Sequence, residues 1–242
     1  MLLSDRMKAV ADLVLPCACM ADIGCDHGYV AIELIRSNTC QRVIAMDINQ
    51  GPLERAKGNI RNYGMQDAIE TRLSDGAAAL APKEADGILC AGMGGRLVIS
   101  ILEQSRALVC GMKQLILQPQ SELDEVRMYL RKTGYHIDAE DMIFEDGKYY
   151  PMMRVLPMSD GIKKDVQMPE KFLRIQDTYG PDLLKKAHPV LKKYLLWQKE
   201  NMENILGNLK NTRKITARQQ ERIAELDEKL SDIVFCLYHY FK

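Results

Sequence analysis

The fold of this chain is constrained most by a repeated alternation of short β-like segments and amphipathic helical segments. Five β-like segments are predicted, over residues 20–25, 42–48, 69–75, 86–91 and 113–118. Helical patterns precede or separate most of them, over residues 4–15, 30–37, 52–63, 97–108 and 121–133. Strands joined through helices are typical of βαβ units, which build parallel sheets. The sequence therefore predicts an α/β fold with a mainly parallel sheet.

The pattern changes at the end of this region. Residues 135–145 and 148–157 are both strand-like, and only Asp146 and Gly147 separate them. Asp-Gly between two such runs indicates a tight antiparallel hairpin. The predicted sheet thus has seven strands and ends in a hairpin, as in the methyltransferase variant of the Rossmann-like fold. Most dinucleotide-binding domains instead continue with parallel units.

Beyond residue 158 the β-like segments disappear, and two apolar stripes at helical spacing predict two long helices. We expect an antiparallel, coiled-coil-like helical hairpin with its turn near residues 211–216. The predicted domains are residues 1–157, which are α/β, and residues 158–242, which are helical. The stripes consist of Leu184, Leu191, Leu195, Met202, Leu206 and Leu209 on one helix, and Ile223, Leu226, Leu230, Ile233 and Leu237 on the other.

Charge divides the chain at the same place. Basic and acidic side chains balance at 33 each over the whole sequence, but residues 1–157 hold 17 basic and 21 acidic ones, whereas residues 158–242 hold 16 and 12. The α/β part is therefore net acidic and the helical part net basic. A run of basic residues on a helix most often forms only a solvated face.

Several features bear on compartment and metal content. Charged residues interrupt the N-terminal apolar run before it reaches the length of a signal peptide, and no stretch approaches a membrane span. Seven scattered cysteines favour a reducing compartment over a disulfide framework, so we expect a soluble cytoplasmic protein. Cys17, Cys19, Cys25 and His27 are zinc-ligand types, but their spacing matches no common zinc motif. We therefore expect no metal.

The strongest local signal is the loop DIGCDHG at residues 22–28, which joins the first strand to the next helix. Gly24 permits a tight turn, and Gly28 lets the helix approach closely. Asp26 stands where the dinucleotide fingerprint has its middle glycine, and carboxylates here disfavour a diphosphate. A sulfonium cofactor with an ammonium group would instead gain from Asp22 and Asp26. The alternative is that both acids only cap the helix.

Acidic residues also follow the second and third strands. Asp47 lies about twenty residues after the glycine loop, where a carboxylate can accept hydrogen bonds from both ribose hydroxyls. Asp75 could accept from an adenine amino group, although Asp at such a place is more often only a turn residue. With their neighbours Ile48 and Gly76, these positions indicate a nucleoside ligand without naming it, since NAD enzymes use the same device.

The fourth strand runs into the glycine-rich segment AGMGG at residues 91–95. Many amino-group methyltransferases carry an Asn/Asp-Pro-Pro-aromatic motif at this place, and this chain does not. Three glycines would bring bare backbone against a cofactor and leave room for a flat base beside Gly92 and Met93. The alternative is a flexible loop.

Together these features resemble the bacterial tRNA (adenine-22-N1)-methyltransferase family. The match covers the first 157 residues in fixed order, and the helical part fits the family in kind. The resembling blocks are LSDR at residues 3–6, ADIGCDHGY at 21–29, AMDIN at 45–49 with GPL at 51–53, AGMGG at 91–95, LQPQ at 117–120 and EDGKYYP at 145–151.

The resemblance implies transfer of a methyl group from S-adenosylmethionine to N1 of an adenosine in the D-arm of tRNA. The implied cofactor site comprises Asp22, Gly24, Cys25, Asp26, Gly28, Asp47, Ile48, Asp75, Gly76 and Gly92. Positioning of the base is expected from His27, Gly92, Met93 and Tyr149, with Tyr29 and Tyr150 as further stacking candidates. RNA contacts are expected from Arg6, Tyr29, Arg96, Gln118, Lys192, Lys193, Lys210, Arg213 and Lys214, in an arm that also carries Lys185, Lys186, His188, Arg218 and Arg222.

Two other interpretations of the sequence are consistent with some of the same residues. A nicotinamide-dependent oxidoreductase would use the same Asp47, but it needs a glycine at the place of Asp26 and gains nothing from residues 91–95. A non-enzymatic protein would use the helical hairpin to dimerise or to bind another protein.

Overall fold

The computed structural model describes residues 3–157, 168–210 and 216–242. The chain forms two compact units, Met1–Gln167 and Met168–Lys242. The domain boundary predicted at residues 157 and 158 adjoins residues 158–167, which lie outside the described ranges, and it stays a prediction.

The first unit is built around a seven-stranded sheet with the strand order β3-β2-β1-β4-β5-β7-β6. Strands β1 to β5 are parallel to one another, and β7 is antiparallel to both of its neighbours. This arrangement confirms the predicted fold class. The strands are β1 (Cys17–Ile23), β2 (Cys40–Asp47), β3 (Ile69–Leu73), β4 (Gly87–Met93), β5 (Gln114–Pro119), β6 (Tyr135–Glu145) and β7 (Lys148–Pro157).

Helices connect most of these strands. They are α1 (Asp5–Asp12), α2 (Tyr29–Arg36), α3 (Gln50–Asn62), α4 (Gly95–Gln104), α5 (Arg106–Val109) and α6 (Leu123–Thr133). The single helix predicted over residues 97–108 is two helices, because the backbone leaves the helical range at Ser105, with φ −102° and ψ 16°.

Alternate residues of the central strands supply two separate apolar cores. Ala21, Ile88 and Leu115 belong to one buried cluster, whereas their chain neighbours Met20 and Leu89 belong to the other. Successive side chains of a strand point to opposite faces of the sheet, so each central strand is buried on both sides. Because the central strands are buried on both faces, their ends are fixed in place, and so are the starts of the loops that follow them.

The second unit consists of α7 (Glu170–Tyr179), α8 (Pro181–Lys185), α9 (Pro189–Lys210) and α10 (Ala217–Tyr240). The long helices α9 and α10 are antiparallel, since Lys192 donates to the carbonyl of Phe241 while Lys210 pairs with Asp227. A capping box formed by Thr216 and Gln219 starts α10.

The first long helix starts later than the apolar stripe predicted. Leu184, predicted on the first long helix, lies instead in α8, because Ala187 adopts a left-handed φ of 49° and ends that short helix before Pro189 begins α9. The turn predicted at residues 211–216 lies outside the described residues except for Thr216. No described helix combines the length and the apolar character that a membrane crossing requires.

Candidate active site

Loops at one edge of the sheet surround a cavity of about 510 Å³. The parallel strands β1 and β4 end at this edge, so the chain segments that follow them converge there. Its volume lies in the range of small-molecule and cofactor sites. The lining residues are Leu3, Ser4, Arg6, Met7, Asp22, Gly24, Cys25, Asp26, His27, Tyr29, Val30, Leu89, Ala91, Gly92, Met93 and Gln120.

The turn after β1 depends on two glycines. Gly24 has a φ of 73°, and a Cβ atom on it would lie 2.3 Å from Met93 Cε. Gly28 has a φ of 72°, and a Cβ on it would lie 3.1 Å from the Cβ of Ala56 in α3. Side chains rarely adopt this backbone conformation. Gly24 therefore keeps the cavity open beside Met93, and Gly28 allows α2 to start against α3.

Asp22 is the buried acid of the cavity, with 3% of its surface exposed. Burial, and to a lesser extent the charge of Asp47, raises the pKa of Asp22 to about 7. Within residues 3–157 the Asp22 carboxylate accepts no hydrogen bond. A carboxylate in this setting is stabilised by a cation that enters the cavity.

Asp26 differs from Asp22 in both exposure and partners. Its backbone has a φ of 44°, so Asp26 adopts the left-handed conformation that a glycine would take more easily. Its side chain accepts a hydrogen bond of 2.8 Å from Arg55 and lies 3.5 Å from His27 Nε2. Gly28 is the N-cap of α2 and no side chain caps that helix. The alternative that Asp22 and Asp26 serve as caps is therefore wrong, and Asp22 is the acid that faces the cavity without a counter-charge.

Two aromatic side chains border the cavity next to this turn. The rings of His27 and Tyr29 are stacked, with centroids 5.6 Å apart and an angle of 10° between their planes. Both residues line the cavity. The structure thus brings two of the predicted base-contacting residues together.

The end of β4 is shaped by Gly92. The register between β4 and β5 shifts between Ala91 and Met93, and Gly92 adopts a φ of 80°. The Gly92 N–H donates to Gln118 Oε1 over 3.2 Å. Gly92 therefore presents backbone alone to the cavity, as predicted for this segment, with its conformation held from the neighbouring strand.

Gln118 is wholly buried, and its Oε1 accepts from Arg6 as well as from Gly92. This burial leaves no surface for RNA, so the predicted RNA contact of Gln118 is corrected to a structural contact. Arg6 also donates its backbone N–H to Glu145, and its guanidinium lies 5.0 Å above the ring of Tyr150. These contacts fix Arg6 at the cavity.

Tyr149 lies outside the cavity lining and packs on Phe144, with ring centroids 4.6 Å apart. Neighbouring residues of β7 point to opposite faces, which is why Tyr150 contacts Arg6 and Tyr149 does not. Of the two tyrosines, Tyr150 is the one placed beside a cavity residue.

Five predicted cofactor residues lie outside the cavity lining. Asp47 ends β2 and accepts a hydrogen bond of 2.9 Å from the Asn49 N–H, while Ile48 has 59% of its surface exposed. Asp75 and Gly76 follow β3, which is parallel to β2 and ends at the same edge. Gly28 acts through packing. Nucleoside binding by Asp47, Ile48, Asp75 and Gly76 therefore stays a prediction.

Several residues that line the cavity were not predicted as site residues from the sequence, above all Gln120. Its position was signalled by the LQPQ segment, which ends β5 at the same edge as β4. The other unselected residues are Leu3, Ser4, Met7, Val30, Leu89 and Ala91.

Cys17, Cys19, Cys25 and His27 do not form one zinc site. Cys17 begins β1 and Cys25 follows its end, so a whole strand separates these two thiols. A strand rises roughly 3.3 Å per residue, so these two thiols cannot share one ion.

The predicted RNA-binding cations are in different environments. Lys192 and Lys193 are exposed, although Lys192 donates to Phe241. Lys210 pairs with Asp227 at 3.2 Å, and Arg96 pairs with Glu125 at 3.3 Å. Arg213 and Lys214 lie outside the described residues.

Comparison with known proteins agrees with the geometry. Residues 3–153 match a family described as a methyltransferase domain. A tRNA (adenine(22)-N(1))-methyltransferase of Bacillus subtilis (strain 168) is 29% identical over 228 residues, which cover 94% of each chain.

Solved structures give the same family. A putative tRNA (m1A22) methyltransferase of Streptococcus pneumoniae is 30% identical with a TM-score of 0.84, and the match covers 98% of this chain and 100% of that one. A structure of that protein in complex with S-adenosyl-L-methionine is 29% identical with a TM-score of 0.82, again over 98% and 100% of the two chains.

Proposed function

The chain belongs to the bacterial tRNA (adenine(22)-N1)-methyltransferase family, and on that premise we propose that it methylates N1 of adenosine 22 in tRNA with S-adenosylmethionine. The observation in this chain that best supports the assignment is the buried Asp22 carboxylate. It lines the cavity beside the Gly24 turn and has no counter-charge there. An anionic diphosphate would be repelled by this group, so a nicotinamide dinucleotide fits less well.

The residues present fit a cofactor with an ammonium group and a sulfonium. Asp22 would pair with a positive charge of the cofactor, and the turn at Gly24 and Cys25 would lie against it, with no side chain on Gly24 to block the approach. Asp47 at the end of β2 would accept hydrogen bonds from the ribose hydroxyls, and the exposed Ile48 would supply an apolar surface for the adenine. Asp75 and Gly76, which follow β3, would bind the adenine. When bound, the cofactor supplies an electrophilic methyl group.

The acceptor requires little chemical activation. Adenine N1 is neutral near pH 7 and carries a lone pair, so the new N–C bond forms while the C–S bond breaks, and the positive charge passes from sulfur to the base. No proton needs to be removed. The contribution of the protein is therefore alignment of the two reactants.

The target base must leave its stack to expose N1, which is a Watson–Crick atom. Gly92 leaves room for a flat ring because it presents only backbone. Tyr29, already stacked on His27, and Tyr150 beneath Arg6 supply aromatic faces close by. Met93 limits the depth of the space beside Gly24.

The second unit contacts the phosphates of tRNA in this proposal. Within residues 168–210 and 216–242, Lys185, Lys193 and Arg218 are exposed and take part in no ion pair. They are better phosphate ligands than Lys210, whose charge Asp227 partly neutralises. A tRNA substrate and seven free cysteines support a cytoplasmic location for the enzyme.

The test is methylation of unmodified tRNA by the purified full chain. We expect S-adenosylmethionine-dependent appearance of 1-methyladenosine, located at position 22 by primer extension. A tRNA with guanosine at position 22 serves as the matched control and should accept no methyl group there. Methylation of another nucleoside, or binding of NAD(P) in place of S-adenosylmethionine, would contradict the proposal.

A further inference from the structure

The segment LQPQ at residues 117–120 contains two glutamines in different environments, and one of them lines the cavity. Gln118 is wholly buried, and its Oε1 is occupied by donors from Gly92 and Arg6. Gln120 is exposed and lines the cavity. Within residues 3–157 the Gln120 side chain has no hydrogen-bond partner. One amide is therefore committed to the protein, and the other is available to a ligand.

The backbone of Gln120 is fixed from both sides. Its N–H donates to the carbonyl of Met93 over 2.8 Å, which ties the end of β5 to the end of β4. The next residue, Ser121, accepts from the Gly95 N–H over 3.3 Å. Gly95 cannot carry a side chain there, because a Cβ would lie 2.4 Å from the Ser121 carbonyl oxygen. The amide of Gln120 thus starts from a defined position.

That position is directly beside Gly92. A Cβ built on Gly92 would have Gln120 Nε2 at 3.8 Å and Arg6 Nη1 at 3.9 Å as its nearest atoms. A base lying over the bare backbone of Gly92 would meet these two polar groups at its edge. Arg6 can only donate hydrogen bonds, whereas the Gln120 amide both donates and accepts.

The chemistry of the two groups selects a base edge. Adenine presents an N6–H₂ donor and an N7 acceptor on its Hoogsteen edge, and a glutamine amide pairs with both at once. A glutamine on the Watson–Crick edge would occupy N1, the atom that receives the methyl group. Guanine has acceptors at both O6 and N7, which cannot satisfy Oε1 of the amide.

Resting on the function proposed above, we propose that Gln120 is the residue that selects adenine, by accepting from N6–H₂ and donating to N7 while N1 stays free. Gln118 is the positioning residue that holds Gly92 and Arg6 for this contact. The two glutamines of one short segment thus divide recognition of the base and support of its site.

The test removes the N7 acceptor from the substrate. Full-length parent, Gln120→Ala and Gln118→Ala enzymes are compared on tRNA with adenosine or 7-deazaadenosine at position 22, as kcat/KM for 1-methylation. The parent should lose about ten-fold with the 7-deaza substrate, which is the size of one hydrogen bond in a desolvated site. Gln120→Ala should be slower on adenosine and indifferent to the replacement. Gln118→Ala should be slower on both substrates and keep the parent's ratio between them.

Two outcomes overturn the proposal. They are a parent enzyme indifferent to the 7-deaza replacement, or a Gln120→Ala enzyme with the full ten-fold sensitivity. Equal melting temperatures of the parent and Gln120→Ala would show that the exposed substitution leaves the fold intact. If the parent methylates no adenosine 22 at all, the proposed function fails, which is distinct from failure of the glutamine assignment.

Discussion

The cavity of the first unit and the exposed ion pairs of the long helices in the second unit place their charges in opposite environments. At the sheet edge of the first unit, Asp22 is buried and accepts no hydrogen bond within the described part of that unit, and Gln118 is buried with its oxygen occupied. In the second unit, Lys210 and Arg222 are exposed and form ion pairs with neighbouring acids. A buried, unpaired charge lowers the stability of the fold but interacts strongly with a ligand of opposite charge. An exposed ion pair changes both the stability and the ligand affinity only slightly.

The difference indicates where each ligand's free energy of binding arises. A small cation-bearing cofactor is recognised by few, fixed groups in a cavity, so one substitution there should have a large effect. A tRNA is held by many screened charges, so single substitutions should have small effects that add up.

The largest expected effect is on the stability of the cofactor-free protein. Burial raises the pKa of Asp22 from 3.8 to about 7, so the folded state binds a proton more tightly than the unfolded state between these pH values. Asp22 therefore lowers the free energy of unfolding progressively as pH rises from 4 to 7. Asp22→Asn should be more stable than the parent by up to about 4 kcal/mol at pH 8 and nearly equal to it at pH 4. Urea unfolding at both pH values measures this, and equal stabilities at pH 8 would contradict it.

The second effect is on cofactor affinity. Asp22→Asn should weaken S-adenosylmethionine binding by about 2 to 3 kcal/mol at pH 8, because a charge-assisted contact is lost. In the parent, affinity should decline as pH falls below 7, since protonation of Asp22 competes with the bound cation. Asp26→Asn is the control, because Arg55 already pairs with that exposed acid, and it should change affinity by less than about 1 kcal/mol. Calorimetric titration decides, and the reverse ranking of the two variants would overturn the assignment of Asp22.

The sheet and the glycine turn could be predicted because their signals are local. A strand, a turn that needs Gly24 and a helix occupy adjacent residues, and the Asp146-Gly147 hairpin has its own dipeptide signature. The choice between similar neighbours could not be predicted. Gln118 and Gln120, or Tyr149 and Tyr150, look alike in sequence. Only strand register and tertiary contacts decide that Gln120 lines the cavity and that Tyr150 contacts Arg6.

The second unit shows the same limit. The periodic stripes predicted the long helices α9 and α10, but not α7 or the end of α8 at Ala187, where a non-glycine residue takes a left-handed conformation. Periodicity cannot reveal such an interruption, because Leu184 keeps the apolar spacing across it.

The smallest expected effect concerns the ion pair between Lys210 and Asp227. Both side chains are about half exposed, at 52% and 48%, so a double-mutant cycle with alanine should give a coupling energy below about 0.5 kcal/mol. Thermal or urea unfolding of the four proteins provides the measurement. A coupling above about 1.5 kcal/mol would remove the contrast between the two units.

The division between the units is tested most directly by the salt dependence of binding in the full-length protein. The dissociation constants for tRNA and for S-adenosylmethionine are measured between about 50 and 200 mM salt. Over this range the affinity that comes from phosphate contacts falls steeply. The measurement is repeated for a variant with Lys185→Gln, Lys193→Gln and Arg218→Gln. We expect the log–log slope for tRNA to shrink by roughly 0.7 to 0.9 for each contact removed, with the affinity for S-adenosylmethionine unchanged. A variant with the parent's tRNA affinity and slope would contradict the account, because the exposed cations of the second unit would then not hold the RNA.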